Sequence, residues 1–179
     1  MKECVADAIV LSLIPSRETD RTVFLFTKEW GKIAARVVAG AKLLSKFSPH
    51  LDPGNLVTVR LTLKNGYTLT DVLTKERFSA VRKEESSMKR MLRALFVIDR
   101  LMPEAVPDED LWGALLSLMR GEVRAPDEML VRMGYDVRHA QCAVCRNADP
   151  DFFSVGTHEF LCLRCSVPFP ENTLLLMEE

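Results

Sequence analysis

Alternation between apolar and polar residues dominates the first eighty positions and predicts β-strands. Apolar-rich stretches at 5–14 and 23–26 are followed by 32–38, where every second residue is apolar. Two further stretches, 56–64 and 67–73, flank Asn65-Gly66, a dipeptide typical of a type I′ hairpin turn. Such a series of short strands predicts a small barrel, and the five-stranded oligonucleotide-binding (OB) barrel is the commonest candidate. An SH3-like barrel fits the same pattern.

The period of the apolar positions changes after Arg82. From Met88 to Met102 they recur at three- and four-residue steps, which predicts an amphipathic helix that ends before Pro103. Asp108 is the predicted cap of a second helix, and Asp127 that of a third, short helix ending at Gly134. We therefore expect two domains: an all-β, OB-like barrel over 1–83 and a small α-helical domain over 84–179.

The second domain contains two Cys-x-x-Cys pairs at the separation of a four-thiolate metal site. The predicted ligands are Cys142, Cys145, Cys162 and Cys165. Zinc is the favoured metal, and because four protein ligands leave no position for a substrate, we expect one structural ion. Two disulfides or a rubredoxin-like iron site would use the same residues. His139 and His158 lie close enough in sequence to replace a thiolate.

The rest of the chain offers little for catalysis. It has no glycine-rich phosphate loop, no G-x-S-x-G and no H-E-x-x-H, so we expect a protein that is not an enzyme. No apolar run approaches the roughly 20 residues of a membrane span, and a signal-peptide pattern is absent. These features predict a cytoplasmic protein with no membrane partner. Cys4, which has no nearby partner, is predicted to be a small buried residue.

The charge is divided unevenly along the chain. Residues 1–83 carry a net charge of +6 and residues 84–179 a net charge of −7, although the whole chain carries −1. The basic half predicts nucleic-acid contact, and the acidic half predicts contact with proteins. Five cations around the third strand are the candidate phosphate ligands: Lys28, Lys32, Arg36, Lys42 and Lys46. Phe47 and Tyr67 are the candidate stacking aromatics, although a solvated face explains the cations equally simply.

Four segments are distinctive: A-I-V-L-S-L-I-P-S-R-E-T-D at 8–20, F-T-K-E-W-G-K at 26–32, G-A-K at 40–42, and E-M-L-V-R-M-G-Y at 128–135 before the first cysteine pair. These segments resemble the bacterial RecO family of recombination mediators. The order of barrel, helices and zinc module is also similar to that family. The resemblance implies binding of single-stranded and also double-stranded DNA, strand annealing, and nucleoid association in DNA-damage repair. It further implies partnership with RecR in loading recombinase onto DNA coated by single-stranded-DNA-binding protein (SSB).

The chain departs from the family in its second half. The helical middle is shorter, and fourteen residues follow Cys165 where the family usually continues with further helices. We therefore expect a short member, and the site for the acidic SSB tail is the implied feature most affected. Two other functions fit the residues. One is a protein-interaction adaptor with structural zinc, and the other is an RNA-binding factor, since OB barrels and zinc modules recur in such proteins.

Overall fold

The computed structural model describes residues 2–16, 20–38, 46–122 and 128–177. The chain divides into two compact units, Met1–Arg124 and Ala125–Glu179. The sequence predicts a boundary between residues 83 and 84. The division falls later because helices that follow Lys83 pack on the barrel and become part of its unit. With this boundary the first unit carries a net charge of +4 and the second a net charge of −5, so the first unit is still basic and the second still acidic.

The first unit is built on a closed barrel of five strands. These are β1 (Lys2–Pro15), β2 (Arg21–Thr27), β3 (Gly31–Val37), β4 (Leu56–Leu63) and β5 (Tyr67–Glu76). Their order around the barrel is β1-β2-β3-β5-β4, and β1 closes it by pairing with both β2 and β4. Of the strand pairs in this barrel, only β3–β5 is parallel. This is the strand order of an OB barrel, and the prediction of that fold is confirmed.

The hairpin between β4 and β5 is present, but the predicted type I′ turn is wrong. Leu63 pairs with Tyr67, so the loop has three residues, Lys64 to Gly66, instead of two. Gly66 adopts a φ of 105°, whereas Asn65 does not have the positive φ that a type I′ turn requires. A three-residue loop closed by a left-handed glycine is the next commonest hairpin connection.

The alternating apolar residues of the strands point into the barrel, as the sequence pattern predicts. Ile33, Ala35 and Val37 are buried in a core to which all five strands contribute. Phe47 and Leu51, which flank the 3-10 turn Ser48–His50, join the same core. Burial of each large apolar side chain is worth roughly 1.5–3 kcal/mol. The barrel interior is thus the main source of stability of this unit.

After the last barrel strand, the described part of the first unit continues with three helices: α1 (Ser79–Lys83), α2 (Glu85–Leu101) and α3 (Glu109–Met119). The apolar stripe of α2, which includes Met91, Leu95 and Ile98, is buried, as the three- and four-residue spacing predicts. The helix ends at Leu101, two residues before Pro103. On the outside of the barrel, Phe26 of β2 meets Trp112 of α3 edge to face at 5.5 Å between ring centroids. The helices therefore cover an outer face of the barrel.

Asp108 caps α3 as predicted, because its carboxylate accepts a hydrogen bond of 2.8 Å from the backbone N–H of Leu111. Replacing Asp108 with Ala leaves that N–H without its partner, and we expect a loss of about 1 kcal/mol in the free energy of unfolding. Asp108→Ser is the matched control, since its hydroxyl keeps the cap and should preserve most of the stability. Thermal or urea unfolding measures both. Equal stability of the alanine and serine variants would contradict the capping role.

The second unit has little regular structure. A short helix, α4 (Glu128–Arg132), precedes Gly134, whose φ of 92° ends it as predicted. The proposed cap Asp127 lies outside the described residues. Three short strands, β6 (Phe152–Ser154), β7 (Glu159–Leu161) and β8 (Leu174–Leu176), form a sheet in the order β7-β6-β8. The sequence did not predict these strands, since three residues are too few to show alternation. In a further short helix, α5 (Leu163–Ser166), Cys162 is the residue before the first turn and Cys165 lies within the helix.

Among the residues that the structure describes, no helix combines the length and the apolar character needed to span a bilayer.

Candidate metal centre and nucleic-acid interface

Local backbone hydrogen bonds shape each cysteine pair. In the first pair, the N–H of Cys142 donates to the carbonyl of Asn147 at 2.8 Å, and the N–H of Arg146 donates back to Cys142 at 2.9 Å. Arg146 takes a positive φ of 64° to close this turn. In the second pair, the N–H groups of Cys165 and Ser166 both donate to the carbonyl of Cys162 at 3.0 Å. Both turns therefore place their two sulfurs on the inside of a tight bend.

The sheet brings the two turns together. The N–H of Ala143 donates to the carbonyl of Phe160 on β7 at 2.9 Å, and β7 leads directly into Cys162. As a result the four Sγ atoms all lie within 4.8 Å of one another. The Sγ atoms of Cys145 and Cys162 are 3.6 Å apart. A tetrahedron with metal–sulfur bonds of about 2.3 Å requires sulfurs about 3.8 Å apart.

The donor set fits a metal ion. Four thiolates around one point suit a soft or borderline metal such as zinc, and they complete its coordination without water. The alternative of two disulfides does not describe this geometry, because all five cysteines are free. Cys142 and Cys162 are buried, Cys165 is half-buried and Cys145 is exposed. The four cysteines could therefore hold one metal ion between them.

The thiols of the cluster shift one another's pKa values in opposite directions. Hydrogen bonds from the backbone N–H groups of Cys145 and then Cys162 lower the pKa of Cys142 to about 6. The hydrogen bond with Cys162, followed by burial and the other neighbouring thiols, raises the pKa of Cys165 to about 12. Four thiolates this close repel one another, so full ionisation at neutral pH requires a cation at the centre. Acidification is expected to release the metal, because protons compete for the same sulfurs.

The two histidines that are close to the cysteines in sequence are hydrogen-bonded to other residues. His139 Nδ1 lies 2.8 Å from a carboxylate oxygen of Asp136. His158 Nδ1 lies 2.7 Å from the hydroxyl of Tyr135. Within the described part of the chain, the metal-type cluster consists of the four cysteines alone. Cys4 is half-buried against the barrel core, where its thiol approaches the carbonyl of Leu61 at 3.7 Å.

The five predicted phosphate ligands form what we call the basic strip: Lys28, Lys32, Arg36, Lys42 and Lys46. The structure places acidic partners beside several of them. Lys28 lies 2.7 Å from Glu109, and this hydrogen bond raises the pKa of Lys28 and lowers that of Glu109. Arg36 lies 2.5 Å from Asp20. Lys46 lies 3.5 Å from Asp71. Lys42 is outside the described residues.

Lys32 is in a different environment. Strand alternation places it opposite Ile33, as predicted, but α2 covers that position and only 8% of Lys32 is exposed. Its Nζ donates a 2.6 Å hydrogen bond to the backbone carbonyl of Asp99. An acidic residue in place of Lys32 would therefore disturb the core, because its carboxylate would face the carbonyl in a buried site.

Sequence reasoning missed these acidic partners, and the reason differs from one pair to the next. Asp20 directly precedes Arg21, which pairs with Val37, so β2–β3 register brings Asp20 close to Arg36. That pair could have been found by aligning the hairpin. Glu109 and Asp71 approach through tertiary packing, and no local pattern reports them. Of the stacking candidates, Phe47 is 1% exposed in the core, whereas Tyr67 is half-buried and stacks on Trp30 at 6.1 Å.

The described residues thus belong to the class of proteins that combine an OB-type barrel with a cluster of four cysteines able to hold a metal ion. The family model for the N-terminal part of recombination protein O matches residues 1–76. The DNA repair protein RecO of Pelotomaculum thermopropionicum is 30% identical over 96% of this chain and 72% of its own length. The chain belongs to the RecO family.

Other relatives give the same result. The DNA repair protein RecO of Shouchella clausii is 28% identical over 89% of this chain and 67% of its own length. That of Geobacter metallireducens is 26% identical over 81% of this chain. The match spans 64% of the length of the Geobacter protein, so this chain corresponds to part of the length of that relative.

Proposed function

We propose that this protein acts in DNA repair and recombination as a mediator without enzymatic activity. In this role it binds single-stranded DNA through the first unit and promotes annealing of complementary strands. Together with RecR it then helps to load recombinase onto DNA coated by SSB, whose acidic tail is a further candidate partner. The observation that carries the proposal is the OB strand order in a chain of the RecO family. OB barrels bind single strands through basic grooves and stacking aromatics.

The charge distribution supports DNA binding by the first unit and protein binding by the second. The unit with the barrel carries a net charge of +4 and the unit with the cysteine cluster a net charge of −5. A basic surface gains free energy by releasing the counterions of phosphate, whereas an acidic surface repels phosphate. We therefore assign DNA to the first unit and protein partners to the second. Zinc is the proposed metal, with a structural role, because its coordination is complete.

The decisive experiment measures annealing of complementary DNA strands by the purified full chain. We expect faster annealing than the spontaneous reaction and single-strand binding that weakens with salt. With about four phosphate contacts, the slope of log affinity against log salt should be near −3, from about −0.7 per contact. Sequence preference should be weak, because contacts to the backbone do not read base edges.

Two outcomes would contradict the proposal. Absence of both binding and annealing would favour the protein-interaction adaptor. Stronger competition by single-stranded RNA than by DNA of the same sequence would favour an RNA-binding factor. A double-stranded competitor in the same assay measures the preference for single strands.

A further inference from the structure

The charges of the predicted strip are largely cancelled inside the protein. Three of its cations, Lys28, Arg36 and Lys46, lie within 3.5 Å of a carboxylate, and Lys32 is buried. A cation this close to an acid presents little net charge to a phosphate farther away. Binding there must break the ion pair or accept repulsion from its acidic member. These four cations, which are the described members of the strip, are therefore poorly placed to attract DNA.

Unpaired cations occur at a different place on the barrel, around the β4–β5 hairpin. Lys2 of β1 pairs in register with Leu63, the last residue of β4, and Lys64 follows directly in the loop. Arg60 does not belong to this group, because its neighbours Val59 and Leu61 are buried in the core and alternation turns Arg60 to the outer face of the barrel. Lys2 and Lys64 are both exposed, and no acidic group of the described chain forms an ion pair with them.

The acids near this end do not neutralise the two lysines. Glu3 pairs in register with Thr62 and makes no ion pair with a described residue. Asp71 lies across from Arg60 in register, but its carboxylate contacts Lys46. The hairpin end therefore keeps an excess of positive charge, in contrast to the strip.

Apolar and aromatic groups accompany these cations. Leu63, the register partner of Lys2, is 40% exposed. Tyr67, the partner of Leu63, is half-buried with its ring nearly parallel to that of Trp30, at 13°. Cations interleaved with apolar and aromatic groups are what a single strand requires, since it presents both phosphates and bases. The loop between the fourth and fifth strands is also a common contact region of OB barrels.

We propose that the β4–β5 hairpin end, formed by Lys2 and Lys64 with Leu63 and Tyr67 beside them, is the primary contact surface for single-stranded DNA. This inference rests on the proposed function and gives it a site distinct from the strip over residues 28–46. Lys2 and Lys64 contact backbone phosphates, and Leu63 and Tyr67 contact bases.

Two double variants of the full chain with the same change in charge test the site. Lys2→Gln with Lys64→Gln removes two charges from the hairpin end, and Lys28→Gln with Lys46→Gln removes two from the strip. The side chains are exposed in each pair, so thermal unfolding should show folded proteins. Affinity for an unstructured oligonucleotide is measured by fluorescence anisotropy at several salt concentrations.

We expect the hairpin variant to bind about tenfold more weakly near 0.15 M salt, with a salt slope smaller by about 1.4, as for two lost phosphate contacts. The strip variant should stay within about threefold of the parent. An unchanged hairpin variant, or a larger loss in the strip variant, would overturn the assigned site while the proposed function stands. Absence of binding by the parent protein would overturn both. The salt slope keeps the test valid if either variant is less stable, because it reports the number of contacts in the folded fraction.

Discussion

Loss of the metal is expected to unfold residues 125–179 while the barrel unit stays folded. Cys142, Cys162 and Leu161 form the buried centre of a small core, with Cys165, Phe169 and Leu174 packed around it, so the ligands are themselves core residues. Units of this size rarely gain more than about 3–5 kcal/mol from apolar burial alone. Structural zinc contributes about 10–16 kcal/mol in small modules at neutral pH. No other single change should have so large an effect.

The measurement combines elemental analysis with limited proteolysis before and after addition of a chelator. We expect one zinc per chain and, after chelation, cleavage confined to the second unit. Cys142→Ser should lose the metal and become sensitive to protease without chelator. Cys4→Ser is the matched control, since Cys4 belongs to the barrel unit and should keep a full metal content. Iron in the protein, or an unchanged metal content in Cys142→Ser, would contradict the assignment.

Gly31→Ala is expected to be the most destabilising small substitution in the barrel unit. Gly31 begins β3 with a φ of 67°, a conformation that residues with a side chain rarely adopt. A Cβ at this position would lie 1.9 Å from the backbone carbonyl oxygen of Val106. The segment around Val106 cannot retreat freely, because the N–H of Ala105 donates to the carbonyl of Lys32 at 2.8 Å. Backbone strain and overpacking together should cost about 3 kcal/mol or more.

Substitutions at two other glycines distinguish the two causes of this loss of stability, backbone strain and overpacking. Gly66 also has a positive φ, 105°, but a Cβ there would meet no atom within 4 Å beyond its chain neighbours, so Gly66→Ala should show the strain alone, about 1 kcal/mol. Gly113 lies inside α3 with equally open space, so Gly113→Ala should stabilise the protein by about 0.5–1 kcal/mol. Urea unfolding ranks the three variants. If Gly31→Ala and Gly66→Ala cost the same, the contact with Val106 contributes nothing.

Much of this protein can be read from short stretches of its sequence. The alternation of Ile33, Ala35 and Val37 predicts a strand with one buried face, because successive side chains point to opposite sides. The spacing from Met88 to Met102 predicts α2, and Asp108 predicts the start of α3. The spacing of the four cysteines predicts the metal cluster. In each case the physical cause acts between residues that are close in sequence or follow a fixed geometric rule.

Only the tertiary structure decided which surfaces are left for a partner. Lys32 looks like an exposed strand residue until α2 covers it, and Lys28 looks free until Glu109 of α3 approaches. Those approaches depend on the packing of helices far along the chain, and no local pattern encodes the distance between two charges. The same packing explains why the first unit ends at residue 124 and not at the predicted residue 83, because α2 buries its apolar stripe within this unit. The sequence by itself predicted the barrel strands, the long helices and the cysteine cluster, whereas long-range packing determined the short strands β6 to β8 and which charges of the described residues are paired.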